Sequence, residues 1–199
     1  SKQGGGNTFS FYAPEMNAAS VERLMLKSKL RRALERDEFV VRYQPKVDLR
    51  NGHIIGAEAL LRWRSPEEGL VMPGLFLPLL EATGMVVQVG DWVVRQAARD
   101  CQDWLAAGLP PVRIAVNIAP AQLRHPQFAA EFLHVVESWS TPQCGLDIEI
   151  TEGLLHEDSV AEVDKLRQLH DRGVGIAIDD FGTGYSSLTR LAQLPIDTL

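Results

Sequence analysis

The sequence predicts an α/β fold in which a mostly parallel sheet bends toward a barrel, with one antiparallel strand pair near its start. Three observations carry this expectation. Short β-rich runs alternate with helical patterns from about residue 70 onward, Asn51-Gly52 separates two β-rich runs, and acidic or amide residues recur where strands end. Strands alternating with helices imply parallel neighbours, and unpaired parallel edges favour closure into a barrel.

Residues 1–18 read as a leader or domain junction, because glycines open the segment and the strand-like run from Phe9 to Tyr12 is cut by Pro14. From Ser20, a suitable N-cap, a helix is expected through Leu24, Leu30 and Leu34, apolar at helical spacing and basic toward its end. The runs Phe39–Val47 and His53–Leu61 flank Asn51-Gly52, a pair suited to a tight turn, so these strands are expected to be antiparallel. No second hairpin is signalled. Helices are expected at Pro73–Thr83 and Asp91–Ala107, stopped by Gly84 and Gly108, then at about Gln127–Trp139 and Ser159–His170, the last ended by Gly173. Between them lie the strands "VRIAVNIA", "LDIEIT" and "VGIAID", and a shorter helix is expected after "FGTGYSS".

With 199 residues, 45% hydrophobic and 23% charged, the chain has the composition of a globular protein with a sizeable core. A net charge of -6 and a pI near 5.4 argue against a grip on long nucleic acid, which needs a basic face, but leave room for a small anionic ligand in a local site. Cys101 falls in a helical pattern and Cys144 in a turn, far apart in sequence, so no disulfide is expected and a reducing compartment fits. No run approaches the roughly 20 apolar residues of a membrane span, and "SKQGGGNTFS" lacks a secretory apolar core. The expected location is the cytoplasm, with no membrane contact from this segment.

The polar residues then fall into one kind of place. Glu58 is expected in or near the end of the second strand, Asn117 near the end of the third, Glu149 in the fourth, and Asp179 and Asp180 at the end of the fifth. In a barrel of parallel strands the C-terminal ends converge on one mouth, where such enzymes place their chemistry. In "LDIEIT" a period of two puts Asp147, Glu149 and Thr151 on one face and Leu146, Ile148 and Ile150 on the other; the apolar face belongs under helices, so the acidic face points inward. Oxygen donors with no histidine at ligand spacing favour Mg²⁺ or Mn²⁺ over Zn²⁺, and the adjacent Asp179 and Asp180 suit two ions roughly 3.5 to 4 Å apart. Taken singly, Glu58 also suits a helix cap or a pair with Arg62, Asn117 a turn backbone, and Arg62 either a surface cation or a phosphate clamp. Two neighbouring acids on a regular strand point to opposite faces, so both reach the mouth only if the strand ends at Asp179 and the backbone turns there.

These residues carry a resemblance to a known family. "YQPKVDLRNGHIIGAEALLRW" contains Glu58-Ala59-Leu60 in the setting of the EAL family, bacterial phosphodiesterases that cleave cyclic di-GMP, and "LFLPLLEATG", "VNIAPAQL", "IEITE" and "DDFGTGYSSL" follow in family order over residues 20–199. The resemblance implies a TIM-like (β/α)8 barrel with an antiparallel first strand. It implies that Glu58, Asn117, Glu149 and Asp179 bind a first metal and Asp180 a second. It also implies that Gln44, Leu60 and Arg62 contact the dinucleotide, and that Glu152 steadies the loop from Asp179 to Ser187, linked in the family to catalysis and homodimer formation. Ala119 stands where the family usually has serine, which removes one hydroxyl and leaves the Asn117 amide. The family continues past "LPIDTL" with a lysine, a glutamate and a glutamine, so the C-terminal part of the barrel is expected to lie outside residues 19–199. "NTFSFYAPEMN" is similar to the junction that follows a GGDEF cyclase domain, which puts another domain upstream. The function implied is hydrolysis of cyclic di-GMP to linear pGpG with two Mg²⁺ or Mn²⁺ ions. The alternatives are a receptor that binds the dinucleotide without cleaving it and a dimerisation module.

Overall fold

The structure, a computed structural model, describes residues 14–139, 144–151, 160–182 and 194–199, with side chains from residue 24 onward in that set. A long helix, α1 (Pro14–Glu35), leads into β1 (Phe39–Val47), β2 (Ile54–Ser65) and β3 (Gly69–Val71). Then follow α2 (Pro73–Thr83), α3 (Met85–Ala106), β4 (Arg113–Asn117), α4 (Pro120–Arg124), α5 (Phe128–Trp139), β5 (Gly145–Thr151), α6 (Val160–His170) and β6 (Ile176–Asp179). The sheet runs β1-β2-β4-β5-β6, antiparallel between β1 and β2 and parallel from β2 to β6, with β3 paired to β2 alone. Thr198 makes a parallel bridge to Ala177, so a further strand pairing begins beyond β6.

The β1–β2 turn is the expected hairpin, with Gly52 at φ 73° and the Asp48 carboxylate accepting from the Arg50 amide. A second hairpin was not expected. Ser65 Oγ accepts the Glu67 and Glu68 N–H groups at 3.3 and 3.2 Å, and Gly69 at φ 74° turns the chain back so that Val71 faces Trp63. Two helix boundaries also differ from expectation. The first helix begins at Pro14, a residue favoured at a helix start, and not at Ser20. The second begins at Met85 and not at Asp91, because one left-handed residue, Gly84 at φ 73°, closes α2 and starts α3 at 120° to it.

The core lies between the sheet and its helices in two clusters. Ile114, Val116, Leu146, Ile148, Ile150, Ile176 and Ile178 pack on α3, α5 and α6, while Trp63, Phe39 and Phe76 pack with α1 and α2. Phe39 and Trp63 sit 5.9 and 6.2 Å from Phe76, ring centre to ring centre, and truncating either to alanine costs about 3–5 kcal/mol at such depth. The expectation that Cys101 and Cys144 stay apart is overturned: α3 lies across the start of β5, and the two buried sulfurs are joined in a disulfide. No single helix among the described residues is long and apolar enough to cross a membrane.

Candidate active site

The register of the parallel strands decides what gathers at their C-terminal rim. One set of alternating residues is buried under the helices, so the opposite set lines the concave face of the sheet. Ladder partners on that face include Asn117 with Glu149 and Thr151 with Asp179. Glu58 is not at the end of β2, which runs on to Ser65, but the β2–β4 ladder stops at Ala59–Val116, so Glu58 still meets the rim. Asn117 Nδ2 donates to Glu58 Oε1 at 2.7 Å, which resolves the alternative partners of both residues. Arg62 instead turns its Nη1 onto the Leu61 carbonyl at 2.8 Å.

Glu149 is buried, with 7% exposure, and Lys46 from β1 donates its Nζ to Oε1. Burial pushes the Glu149 carboxyl above the usual range. Lys46 pulls it back, and the charges of Glu58 and Asp179 push it further up. Lower on the same face, Arg113 takes both Asp147 oxygens at 2.9 Å through Nε, and Asp147 Oδ1 also accepts the Gly175 N–H at 2.7 Å. Asp147 is thus inward, as its spacing requires, but serves the floor of the sheet.

Glu58, Leu60, Arg62, Asn117, Glu149, Thr151 and Asp179 line a cleft of about 450 Å³, together with the apolar Leu80, Val86, Val89, Val93 and Ile118. Gln44 is exposed beside it, opposite Glu58 in the β1–β2 register. The strand does end at Asp179. Asp180 turns away in the left-handed region at φ 56°, its N–H donates to Asp179 Oδ1 at 2.9 Å, and it is exposed and not among the cleft-lining residues. Glu152, residues 183–187 and the helix expected after them lie outside the described residues. Sequence reasoning missed Lys46, although it stands two residues from Gln44 on the same strand face, and it missed the apolar wall supplied by α2 and α3.

The match to known proteins settles the family. The EAL domain model matches residues 27–199. This chain belongs to the EAL family. The EAL domain here is 45% identical over 198 residues to MucR of Pseudomonas aeruginosa, named a bifunctional diguanylate cyclase/cyclic di-GMP phosphodiesterase, covering 100% of this chain and 29% of that protein. It is 39% identical over 198 residues to the cyclic di-GMP phosphodiesterase PdeR of Escherichia coli, covering 100% of this chain and 30% of PdeR. The chain therefore spans about three tenths of the length of these relatives. It also superposes on a solved structure of PaMucR phosphodiesterase in complex with c-di-GMP with a TM-score of 0.80 and 46% identity, over 86% of this chain and 70% of that one. The likeness confirms an α/β domain of EAL type with a mixed sheet and an antiparallel first strand.

A hard divalent cation suits the donors at the rim. Glu58, Glu149 and Asp179 bring carboxylate oxygens, and Asn117, whose Nδ2 is engaged by Glu58, has its Oδ1 to offer. The upward push of Glu58 and Asp179 on Glu149 is mutual repulsion of the kind a cation relieves. Among the described residues, no three His, Cys, Asp or Glu side chains are drawn together closely enough to hold an ion as they stand. The salt bridge to Lys46 meets part of the charge need of Glu149 instead.

Proposed function

We propose that this EAL domain is the hydrolytic part of a cyclic di-GMP phosphodiesterase that releases linear pGpG. The observation that carries the proposal is the meeting of Glu58, Asn117, Glu149 and Asp179 on one strand rim beside a cleft of about 450 Å³. The names of MucR and PdeR, and the dinucleotide in the PaMucR complex, support the substrate.

In this account Glu58, Asn117, Glu149 and Asp179 hold one Mg²⁺ or Mn²⁺, and Asp180 joins Asp179 in holding a second. When bound, such ions neutralise the phosphodiester oxygens and make water acidic enough to attack near neutral pH. Hydrolysis would form a bond from phosphorus to a water oxygen and break the bond from phosphorus to the 3′ oxygen, the proton lost by the water being balanced by the one the 3′ oxygen takes up. Arg62 leaves the Leu61 carbonyl to clamp a phosphate, while Leu60 packs against the dinucleotide and Gln44 contacts it from the neighbouring strand. Glu152 steadies the segment from Asp179 to Ser187, through which two copies pair. Residues 1–18 include the junction from a GGDEF domain, and the strands close into a TIM-like barrel. The compartment is the cytoplasm, where burial keeps the Cys101–Cys144 pair from dissolved thiols.

One observation favours the receptor alternative: Lys46 already neutralises Glu149. Incubating the whole natural protein with cyclic di-GMP in Mg²⁺, in EDTA and in Zn²⁺ separates the two. Chromatographic release of pGpG in Mg²⁺ but not in EDTA supports hydrolysis; binding without release supports the receptor. Zn²⁺-dependent release that survives removal of Mg²⁺ refutes the oxygen-donor assignment.

A further inference from the structure

Gln122 lines the same cleft from α4 and is buried, with 2% exposure. Its amide is half used. Oε1 accepts the Ala119 N–H at 3.2 Å, which fixes which end is oxygen, while Nε2 is buried with no hydrogen-bond partner among the described residues. A buried donor left unpaired costs about 1–3 kcal/mol, so such groups call for an explanation. The facing helix is notched to admit it. A Cβ at Gly90, in the interior of α3, would fall 2.0 Å from Nε2 and 2.2 Å from Cδ of Gln122. Glycine there sacrifices about 1 kcal/mol of helix propensity relative to alanine. Around the amide the cleft is apolar, with Leu80, Val86, Val89, Val93 and Ile118. A cleft with apolar lining and one outstanding donor suits a nucleobase that presents an acceptor at its edge.

Resting on the proposed substrate, we infer that Gln122 is a specificity-determining residue whose Nε2 donates to the O6 and N7 acceptor edge of one guanine of the dinucleotide. Guanine presents two acceptors on that edge. Adenine keeps N7 but has an amino donor in place of the O6 acceptor, so it offers Nε2 one acceptor where guanine offers two. Gln122 thereby selects cyclic di-GMP over cyclic di-AMP.

The test is isothermal titration of the whole natural protein with cyclic di-GMP and cyclic di-AMP in Ca²⁺, for wild type, Gln122→Glu and Gln122→Met. Gln122→Glu keeps an oxygen for the Ala119 N–H and loses the donor; Gln122→Met removes the donor without adding charge. Melting curves identify which variant is folded. The expected result is that the preference of wild type for cyclic di-GMP falls by about tenfold or more in each folded variant, the size of one well-placed hydrogen bond to a base. An unchanged ratio in a folded variant overturns the role of Gln122 and leaves the phosphodiesterase proposal standing. Failure of wild type to bind cyclic di-GMP at all overturns both.

Discussion

Lys46 on β1 donates its Nζ to Glu149 Oε1 on β5, although β2 and β4 lie between those strands in the sheet. In a flat sheet three strand spacings would separate them by about 14 Å, farther than a lysine side chain spans. The contact therefore requires the sheet to curl, with the acidic rim on its concave side. It also gives Glu149 a resident counter-ion that a metal must displace. Lys46→Met is expected to tighten Mn²⁺ binding by roughly tenfold on titration, the scale of a partly buried pair near 1.4 kcal/mol, and to lower the melting temperature of metal-free protein. Unchanged or weaker Mn²⁺ binding would show that the pair is incidental.

A second expectation concerns the start of α4. Ala119 is the N-cap, in an extended conformation with φ -70° and ψ 148°, and has no side-chain oxygen to offer, while Gln122 three residues on already reaches back to the Ala119 N–H. This is half of a capping box. Ala119→Ser supplies the other half and is expected to stabilise the protein by about 1 kcal/mol, seen as a rise of a few degrees in melting temperature. A lower melting temperature would mean that the cap position has no room for a hydroxyl.

The third follows from Asp91 on α3. Burial raises its carboxyl above the ordinary range and Glu131 adds to this, while Arg95 and His125 pull the other way. A carboxyl whose folded pKa is raised binds its proton more tightly in the folded state, so stability is greatest at low pH and is lost as pH rises through the folded pKa. Asp91→Asn is expected to raise the melting temperature at about pH 7, with the gain closing below about pH 4, where both side chains are neutral. A gain that is independent of pH would assign the effect to packing.

The fourth sits on the floor of the sheet. A Cβ at Gly175 would approach Asp147 Oδ1 to 2.7 Å, and that oxygen is held by Arg113 and by the Gly175 N–H. Gly175→Ala is expected to cost about 1–3 kcal/mol in chemical denaturation, as for other overpacked sites. A neutral substitution would show that the Arg113–Asp147 pair shifts freely.

Where the residue pattern is local, the sequence and the structure agree. The alternation in Leu146–Thr151 put Glu149 on the inner face because a period of two is a property of any strand, and Gly84, Gly108 and Gly173 marked helix ends because each adopts a positive φ. What escaped notice depends on elements meeting. The Lys46–Glu149 pair needs the curl of three strand spacings, the Cys101–Cys144 bond needs α3 laid across β5, and the slot around Gln122 needs the bend at Gly84 that brings α3 over α4. The β2–β3 hairpin had a signal in Ser65-Pro66 and Gly69, but its third strand is three residues long and too short to show a period.

The central claim is that the residues of the strand rim hold the chemistry and not merely the ligand. Its most direct test is the turnover of cyclic di-GMP by Glu58→Gln in Mg²⁺, with dinucleotide affinity measured beside it. Glu58→Gln keeps the size of the side chain and an oxygen for Asn117 Nδ2, and loses the charge. The account predicts that kcat falls by at least ~100-fold, more than the loss typical of residues that only support a metal ligand, while affinity stays within about threefold of wild type. Wild-type turnover in folded Glu58→Gln would contradict it.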